Sequence, residues 1–404
     1  MSVKEDAQAL HGDLVQLRRA LHGEPETGLL LPRTQEKVLA ALDGLPLETV
    51  TGESLSSVTG VLRGGRPGPT VLLRGDMDAL PVAERTGLDY ASRVDGRMHA
   101  CGHDLHTAML AGAARLLSAR RDELAGDVVF MFQPGEEGFD GAGHMLAEGV
   151  LEAAGSRPVA AYALHVSSAS VPGGVFSTRR GPAMAASNVL EVTVRGAGGH
   201  GSAPQRAKDP IPAACEMVTA LQTFVTRSFD PFDPVVLTVG QFHSGTASNV
   251  IPGEARFSAT IRTFSTAAQA RMKDGAVQVC RGIAAAHGLE VTAEFIEQYP
   301  ATVNDDTEAE FVADVAREVH GEERFAWAPQ PVTGSEDFSR VLDEVPGAFT
   351  FLGACPADRD VETAPYNHSP LAEFDDGVLG DGAALYAELA LRRLTTDAPR
   401  TTTR

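Results

Sequence analysis

The chain has 404 residues and a formal net charge of −20, with 43% hydrophobic and 22% charged residues, which is an ordinary balance for a globular protein. At roughly 150 residues per domain, this length suggests two or three units. So acidic a surface repels phosphate backbones and anionic membranes, which argues against a nucleic-acid partner. No segment approaches the roughly 18 apolar residues that a membrane span needs.

The cysteines and the N-terminus indicate in which cellular compartment the protein is expected. Cys101, Cys215, Cys280 and Cys355 lie far apart and show no disulfide-framework spacing. The polar N-terminus leads into an amphipathic stretch that lacks the apolar core of a signal peptide. We therefore expect a cytoplasmic protein whose cysteines are thiols.

The first third of the chain alternates predicted helices and strands. Leucines at helical spacing predict the first helix, and short apolar runs predict the strands. The predicted elements are a helix over Lys4–His22, strands over Val58–Arg63 and Thr70–Arg74, a helix over His103–Ala119, and strands over Asp127–Phe132 and Val159–Leu164. Buried strands that alternate with helices indicate an α/β sheet covered by helices on both faces.

The pattern changes near Gly181, after which the predicted order is strand, helix, strand, strand, helix, strand. These elements cover Val189–Arg195, Ile211–Arg227, Val235–Phe242, Ala255–Thr263, Ala267–His287 and Leu289–Glu297. This βαββαβ order is typical of a ferredoxin-like domain. After Tyr299 the earlier alternation resumes, with helices over Thr307–His320 and Gly377–Leu394, and the tail Thr395–Arg404 is expected to be frayed.

These elements together predict a two-domain α/β protein. Residues 1–184 and 300–404 are expected to form a large α/β/α sandwich domain. Residues 185–299 are expected to form a ferredoxin-like domain inserted into it.

Ligand-type side chains follow three of the predicted strands in the first third of the chain. Asp76 and Asp78 follow the second strand, Glu136 and Glu137 the third, and His165 the fourth. The carboxyl ends of strands in open α/β sheets converge on the ligand crevice, so we expect these residues to meet. Neighbouring residues of an extended turn point in different directions, so one glutamate can bind a metal ion while the other transfers protons.

The segment 99–106 adds a thiol and three imidazoles directly before a predicted helix. Cys101 and His103 alternate in an extended stretch and can therefore face the same point. Thiolate, imidazole and carboxylate together suit a transition metal such as zinc, manganese, cobalt or nickel.

Each of these residues also has a purely structural interpretation. A strand that ends in two acids is common, and paired aspartates suit a turn. A single histidine such as His165 is more often a hydrogen-bonded structural residue, and a single Cys101 is more often a small buried apolar residue. We interpret His99 and His106 as structural or supporting residues. The joint occurrence of so many ligand types at strand ends favours a functional site.

Eight motifs, spread over nearly the whole chain, resemble those of one family. They are RGDMDALP (74–81), MHACGHDLH (98–106), FQPGEEG (132–138), LHV (164–166), GGHGSAP (198–204), SNVIP (248–252), TGSEDFS (333–339) and NHSP (367–370). In order and spacing the chain resembles the aminoacylase and carboxypeptidase-type dinuclear metallopeptidases. Within that family it resembles the amidohydrolase subgroup of hippurate hydrolases and auxin-conjugate hydrolases.

The resemblance implies a site for two divalent metal ions. The implied ligands are Cys101, His103, Glu137, His165 and His368. Glu136 is implied as the general acid and base. His368 is not indicated by spacing. Where the wider family has His-x-Asp, this chain has Asp76-Met77-Asp78, a change that accompanies the cysteine site, and we expect Asp78 to orient a ligand histidine.

For the inserted domain, the resemblance implies a lid through which two copies form a homodimer. The resemblance implies that His200 reaches the active site and stabilises an oxyanion. Because His200 lies in a glycine-rich loop, we expect it to enter the site of the partner. The alternative is a monomer whose own lid closes, with His200 acting in its own subunit or merely solvated. Asn249 and Arg262 are expected to bind the substrate, and Arg262 is expected to donate charge-assisted hydrogen bonds to the substrate's free carboxylate. Without the resemblance, Arg262 would be interpreted as a surface arginine at a strand end.

One departure from the family concerns residues 167–174. The family usually has a proline-rich segment there that shapes the acyl pocket, whereas this chain begins with small polar residues. The departure leaves the preferred acyl group open.

These observations predict a metal-dependent amidohydrolase that cleaves the amide bond of N-acyl amino acids, with Glu136 as the proton shuttle. A dipeptidase or small-peptide carboxypeptidase would use the same site. A binding protein with a vestigial site is disfavoured because all the implied ligands and Glu136 are present. A zinc-stabilised structural domain is disfavoured because such sites favour four closed ligands, mostly cysteine and histidine.

Overall fold

A computed structural model describes residues 2–395, and the chain divides into two compact units. Unit 1 contains residues 2–183, 303–330 and 340–395 of the described chain, and unit 2 contains residues 184–302 and 331–339. The tail that we expected to be frayed lies outside the described residues, except for Thr395, which ends a helix. Within residues 2–395 no helix has the length and apolarity needed to cross a bilayer.

The structure has a helix in each segment that the sequence predicted to be helical, and further helices between them. The helices are α1 (Val3–Ala9), α2 (His11–His22), α3 (Pro32–Leu42), α4 (His103–Ser118), α5 (Gly141–Ala147), α6 (Pro210–Ser228), α7 (Thr266–Ala286), α8 (Asp306–His320), α9 (Ser339–Glu344) and α10 (Leu379–Thr395). Several begin at side-chain caps, since Asp209, Ser265 and Asp305 each accept a hydrogen bond from a backbone N–H of the first turn.

The strands belong to two larger sheets and two short ribbons. They are β1 (Leu47–Thr51), β2 (Val58–Leu62), β3 (Arg66–Asp76), β4 (Ala125–Gln133), β5 (Pro158–Ser167), β6 (Phe176–Thr178), β7 (Gly181–Met184), β8 (Ala186–Arg195), β9 (Gly199–His200), β10 (Val236–Ser244), β11 (Val250–Ile251), β12 (Glu254–Thr263), β13 (Glu290–Tyr299), β14 (Thr302–Asn304), β15 (Phe325–Trp327) and β16 (Gly347–Gly353).

The large sheet of unit 1 has the order β1-β2-β4-β3-β5-β16-β6-β15. Its central neighbours β4-β3, β3-β5 and β5-β16 are parallel, whereas β1 and β2 join antiparallel at one side. Consecutive residues Val128–Phe132 of β4 are all completely buried, so both faces of this strand are covered. Such two-sided burial is typical of parallel strands between helical layers. The predicted α/β fold with a large central sheet is therefore confirmed.

Helix α4 lies in the core of unit 1. Its sequence is rich in alanine and leucine, it is buried around almost its whole circumference, and it packs against β3, α2 and α10. Gly102 precedes it with a φ of +82°, and a Cβ there would lie 2.3 Å from a methyl group of Val166. Only glycine tolerates both conditions, so the helix begins at His103.

Unit 2 contains a four-stranded antiparallel sheet in the order β10-β12-β8-β13. Its elements follow the chain order β8, α6, β10, β12, α7, β13. The two helices share one apolar cluster with alternate strand residues such as Leu190, Val192 and Phe257. Intervening residues such as Glu191 are exposed, as expected for an antiparallel sheet with one solvated face.

The single helix predicted over Lys4–His22 is wrong. The structure has two helices there, α1 and α2, which meet at Leu10. The N–H of Leu10 bonds to carbonyls of the preceding turn, and Gly12 follows in the first turn of α2. Glycine costs helical stability relative to alanine, so the continuous apolar spacing does not produce one uninterrupted helix.

Candidate active site

The predicted convergence of strand ends occurs in unit 1. Strands β4, β3 and β5 are adjacent and parallel, so their carboxyl ends lie side by side. Strand β3 ends at Asp76, the turn after β4 carries Glu136 and Glu137, and β5 continues through His165 to Ser167. Helix α4 begins at His103 at the same edge, because β5 lies beside the Gly102 turn.

Cys101 lies at the centre of a cluster of ligand-type atoms. Its Sγ is 3.4 Å from His165 Nε2 and 3.3 Å from His368 Nε2, and His368 Nε2 is 3.1 Å from Glu137 Oε1. Two ligands that bind one ion at tetrahedral geometry lie roughly 3.3 to 3.8 Å apart. The observed spacings between these ligand-type atoms are close to that range.

Two groups of three ligand-type atoms share Cys101. Cys101, His103 and His165 form one group, and Cys101, Glu137 and His368 form the other, with all ligand atoms of a group within 4.8 Å of one another. The structure thus brings together all five residues that the resemblance implied as ligands. Cys101 is 7% exposed, whereas His368 is exposed, so the cluster opens to solvent on the side of His368.

His103 and Glu137 each hold a polar atom whose burial calls for a partner. His103 Nε2 is buried without a hydrogen-bond partner among the described residues. Glu137 Oε1 lies 4.0 Å away and is buried, with the exposed His368 ring near it, at 3.1 Å. Leaving a buried polar atom unpaired normally costs about 1 to 3 kcal/mol. A cation between them would satisfy both, and the mixed sulfur, nitrogen and oxygen donors suit a transition metal. The residues present therefore fit the implied metal ions.

The charges around the cluster also favour a cation. Hydrogen bonds to Cys101 and Glu137 raise the pKa of His368 to about 10. Burial acts against a charge on His103, but Asp76, Asp78 and Cys101 together outweigh it and raise the pKa of His103 well above its usual range. A negative field that stabilises a bound proton in this way also attracts a divalent ion.

His165 is held in the form that a metal ligand requires. Its Nδ1–H donates to the Val166 carbonyl oxygen at 2.9 Å, which leaves Nε2 with a free lone pair directed at Cys101. Burial and the neighbouring His106 lower the pKa of His165 well below its usual value, so the ring is neutral. Such a backbone contact fixes both the tautomer and the orientation of a ligand imidazole.

Asp78 lies where it can organise the glutamate turn. One carboxylate oxygen accepts the backbone N–H of Glu136 at 3.0 Å and the other accepts that of Glu137 at 3.1 Å. Its Oδ1 is also 3.5 Å from Nδ1 of His103. The structure therefore places Asp78 beside His103, one of the ligand candidates, and adds a contact with the turn that was not predicted from the sequence.

Glu136 lies beside the cluster. One of its carboxylate oxygens is within 4.8 Å of ligand atoms of His103 and Glu137, and the residue is 7% exposed. At this position it can exchange a proton with a water molecule held between the ligands.

His99 and His106 are buried, in agreement with the structural interpretation. His106 Nδ1–H donates to Asp76 Oδ1 at 2.5 Å, and its Nε2 accepts the backbone N–H of Val166 at 2.7 Å. Both ring nitrogens of His106 are thus occupied within the protein. Burial lowers the pKa of His99 to about 3, so that ring is neutral.

Sequence reasoning missed two residues that contact the cluster. Asn367 bonds to the backbone of both Cys101 and Val166, and Ser168 bonds to Asn367. The only sequence signal was that Asn367 precedes His368 in the NHSP motif.

Two of the residues expected to bind substrate meet in unit 2. Strand β9 pairs with β11 so that His200 faces Val250, and the N–H of Gly201 donates to the Asn249 carbonyl. His200 and Asn249 are both exposed. The N–H of Ser202 donates to His200 Nδ1 at 3.1 Å, so the neutral ring carries its proton on Nε2. His200 can therefore offer a donor from Nε2.

Arg262 is half-buried on β12 of unit 2. Its Nη1 donates to Ser187 Oγ, and it has no carboxylate partner among the described residues. Burial lowers the pKa of its guanidinium. An arginine held by a hydroxyl alone keeps donors available for a ligand carboxylate.

Comparison with known proteins identifies the family. The model of peptidase family M20/M25/M40 matches residues 72–392. The chain is 37% identical to thermostable carboxypeptidase 1 of Saccharolobus solfataricus over 96% of this chain and 98% of that protein. It is 39% identical to IAA-amino acid hydrolase ILR1-like 4 of Arabidopsis thaliana over 94% and 86%, respectively. It is 34% identical to hippurate hydrolase of Campylobacter jejuni over 95% and 97%.

A solved structure agrees with these relatives. The YXEP protein of Bacillus subtilis, described as a dinuclear metal-binding peptidase of the M20 family, has a TM-score of 0.83 and 32% identity, covering 96% of this chain and all of that one. Fold and site therefore define a hydrolase that acts on amide or peptide bonds. The chain belongs to peptidase family M20/M25/M40, which confirms the resemblance noted in the sequence.

Proposed function

We propose that this protein hydrolyses the amide bond of N-acyl amino acids and releases the acyl group as a carboxylate. The observation that carries this proposal is the pair of ligand groups that share Cys101, with the Glu136 carboxylate beside them. Relatives named as IAA-amino acid hydrolase and hippurate hydrolase, which match along nearly the whole chain, support the substrate class. A binding protein with a vestigial site would not require this complete set of groups.

Five residues would hold two divalent ions, with zinc, manganese, cobalt and nickel as the candidates. They are Cys101, His103, Glu137, His165 and His368. When bound, such ions activate a water molecule and polarise the scissile carbonyl. The Glu136 carboxylate takes a proton from that water and then donates it to the leaving amide nitrogen. Asp78 holds the backbone of Glu136 so that this carboxylate stays beside the ligands.

The substrate contacts belong to unit 2. We assign the free carboxylate of the substrate to Arg262, whose guanidinium has no carboxylate partner among the described residues. We assign His200 to the oxyanion that forms at the carbonyl, because its Nε2 carries the donor proton when Nδ1 accepts from Ser202. Asn249, adjacent to His200, is assigned to the substrate as well.

Unit 2 is proposed to act as a ferredoxin-like lid that is inserted into the catalytic domain and forms a homodimer. Strand β10 is an edge of its sheet and leaves Val236 and Phe242 exposed. An open edge with exposed apolar residues supports pairing with a second copy. In that dimer His200 would enter the partner's active site.

The cysteines support a reducing location. All four are free thiols in the structure, which is consistent with the proposed cytoplasmic site of action.

A second candidate, a dipeptidase or small-peptide carboxypeptidase, is favoured by the relative named as a carboxypeptidase. It would use the same ligands and the same glutamate. A panel of N-acetyl and N-benzoyl amino acids, compared with dipeptides of the same C-terminal residue, separates the two. The protein is first stripped of metal and then loaded with zinc, manganese, cobalt or nickel in separate samples. With each of these metals we expect higher kcat/KM for the N-acyl amino acids than for the dipeptides. Consistently higher kcat/KM for the dipeptides would replace the proposed function with the second candidate.

A further inference from the structure

We infer that Asn367 is a positioning residue that fixes Cys101 and His368 relative to each other and donates a hydrogen bond to the thiolate of Cys101. The inference rests on the proposed metal site and extends it to a residue that does not bind metal.

The contacts of Asn367 determine the orientation of its side-chain amide. Its Nδ2 donates to the carbonyl oxygens of Cys101 at 3.3 Å and Val166 at 3.0 Å, and its Oδ1 accepts the backbone N–H of Ser168 at 2.9 Å. Carbonyl oxygens only accept and a backbone N–H only donates, so the reversed orientation would lose all three bonds. The NH2 group must therefore face Cys101.

The same amide joins three segments that carry ligand-type residues. One contains Cys101, the second follows His165 and contains Val166 and Ser168, and the third contains His368. These segments are far apart in the sequence, so no local hydrogen bonding aligns them. One planar group that bonds to all of them defines their spacing.

Ser168 holds Asn367 in this orientation. Its single Oγ–H lies between two acceptors, Asn367 Oδ1 at 3.0 Å and the Pro365 carbonyl oxygen at 2.9 Å, and the residue is 1% exposed. Ser168, one of the small polar residues that follow the LHV motif, thus orients the Asn367 side chain. A proline at position 168 could not supply the backbone N–H that Asn367 accepts.

The backbone conformation of His368 explains why a positioning residue is needed beside it. His368 has a φ of +73°, a left-handed conformation that is unfavourable for a non-glycine residue. Its own N–H donates to the Ala100 carbonyl at 2.8 Å. Together with the bonds of Asn367 to Cys101, this contact keeps the His368 ring on the Cys101 sulfur.

Asn367 also contacts the sulfur directly. Its Nδ2 lies 3.8 Å from Cys101 Sγ, so the N–H directed at the Cys101 carbonyl oxygen is shared with the sulfur. Donors to a coordinating thiolate lower the electron density that it gives to the metal. Replacing the amide by a carboxylate would remove this donor and place negative charge beside the sulfur and two carbonyl oxygens.

The test is a cobalt titration of the full-length protein after chelator treatment, in the wild type and in N367D, S168A and N304D. Cobalt is chosen because a thiolate ligand produces a charge-transfer absorption band. We expect N367D to bind cobalt about 10-fold to 100-fold more weakly, with a shifted band. We expect S168A, which loses one neutral hydrogen bond, to bind roughly twofold to tenfold more weakly.

N304D is the matched control. Asn304 is buried, whereas Asn367 is half-buried. The Asn304 amide likewise donates to two carbonyl oxygens, those of Arg179 at 2.9 Å and Phe349 at 3.2 Å, and accepts a backbone N–H, that of Phe349 at 2.7 Å. It makes none of these contacts with the metal-ligand candidates. We expect N304D to lower thermal stability while the cobalt affinity and the band remain those of the wild type.

The outcomes separate this inference from the proposed function. A wild type that binds cobalt without a thiolate band overturns both. A normal wild-type band, together with an unchanged band and affinity in N367D, overturns the inference alone. If N367D does not fold, S168A decides, and wild-type cobalt affinity in S168A rejects the positioning role.

Discussion

At the scale of residues, several ligand candidates are held in place by groups outside the set of ligand candidates. His165 is held by the Val166 carbonyl, and the glutamate turn is held by Asp78. Such partners usually matter for affinity almost as much as the ligands themselves. Glu136 and Glu137 are adjacent in sequence but do not belong to all the same groups of ligand-type atoms, since only Glu137 is grouped with Cys101 and His368. We therefore expect the two glutamates to have different roles.

Glu136→Gln should keep bound metal and lose nearly all turnover. The change removes the proton shuttle but no ligand, and general acid–base catalysis contributes about 100-fold to 10,000-fold. Metal content of the purified variant, measured beside kcat, checks this expectation.

Cys101→Ala and His165→Ala are the matched controls, and both should lose metal as well as activity. Wild-type turnover in Glu136→Gln would remove the residue from the mechanism.

We expect Arg262 to set the preference for a substrate with a free carboxylate. The wild type should use an N-acyl amino acid far better than its amide, and Arg262→Ala should discriminate much less. A hydrogen bond to a charged group is worth about 1.5 to 3 kcal/mol, or more than tenfold in kcat/KM. The ratio of kcat/KM for acid and amide measures the effect in both proteins. Equal use of acid and amide by the wild type contradicts the assignment.

At the scale of elements, helices α2 and α4 are joined by an ion pair in the core. Arg18 Nε lies 2.8 Å from Asp104 Oδ2, and both side chains are completely buried. Burial disfavours the charged carboxylate, but Arg18 and His22 outweigh burial and hold the pKa of Asp104 well below its usual range. Because Asp104 follows His103, this pair also anchors the first turn of the helix that carries a ligand candidate.

Arg18→Met should therefore lower the free energy of unfolding by about 3 kcal/mol or more at neutral pH, since it leaves a buried carboxylate with one partner fewer. Because the folded pKa of Asp104 is depressed, the contribution is present above about pH 4, the unfolded pKa, and declines as the pH falls below it. Urea unfolding at pH 7 and at about pH 2.5, below the unfolded pKa, measures both effects.

Arg19→Met is the control on the same helix. Arg19 is 42% exposed and pairs with Asp376 at the surface, so its loss should cost less than about 1 kcal/mol. Equal destabilisation by the two substitutions would contradict the account of the buried pair.

The elements also show how far the sequence predicts this site. Cys101 and His103 alternate before a helix, and the glutamates and His165 follow apolar strands, so parallel strand order was enough to bring them together. His368 could not be found in that way. It lies 267 positions from Cys101 on a loop, and its approach depends on a left-handed backbone and on Asn367. Tertiary contacts of this kind leave no periodic signal, so only the NHSP motif pointed to His368.

At the scale of the whole molecule, the proposed lid contacts predict an interdependent dimer. His200→Ala and Glu136→Gln should each be inactive alone. When subunits exchange at random, half of the dimers are mixed, and each mixed dimer has one complete site if His200 acts on the partner. Activity should then return to roughly a quarter of the wild-type value. Subunit mixing followed by a rate assay, with sedimentation to establish the dimer, provides the measurement. No recovery in a mixture proven to exchange would place His200 in its own subunit's site.

The measurement that tests the central claim most directly is stepwise return of metal to chelator-treated protein, with hydrolysis of N-benzoylglycine followed at each step. The account predicts no turnover without metal and a plateau at about two equivalents per chain, as expected for a site that binds two ions. Hydrolysis by the protein without metal, or a plateau at one equivalent, would contradict it.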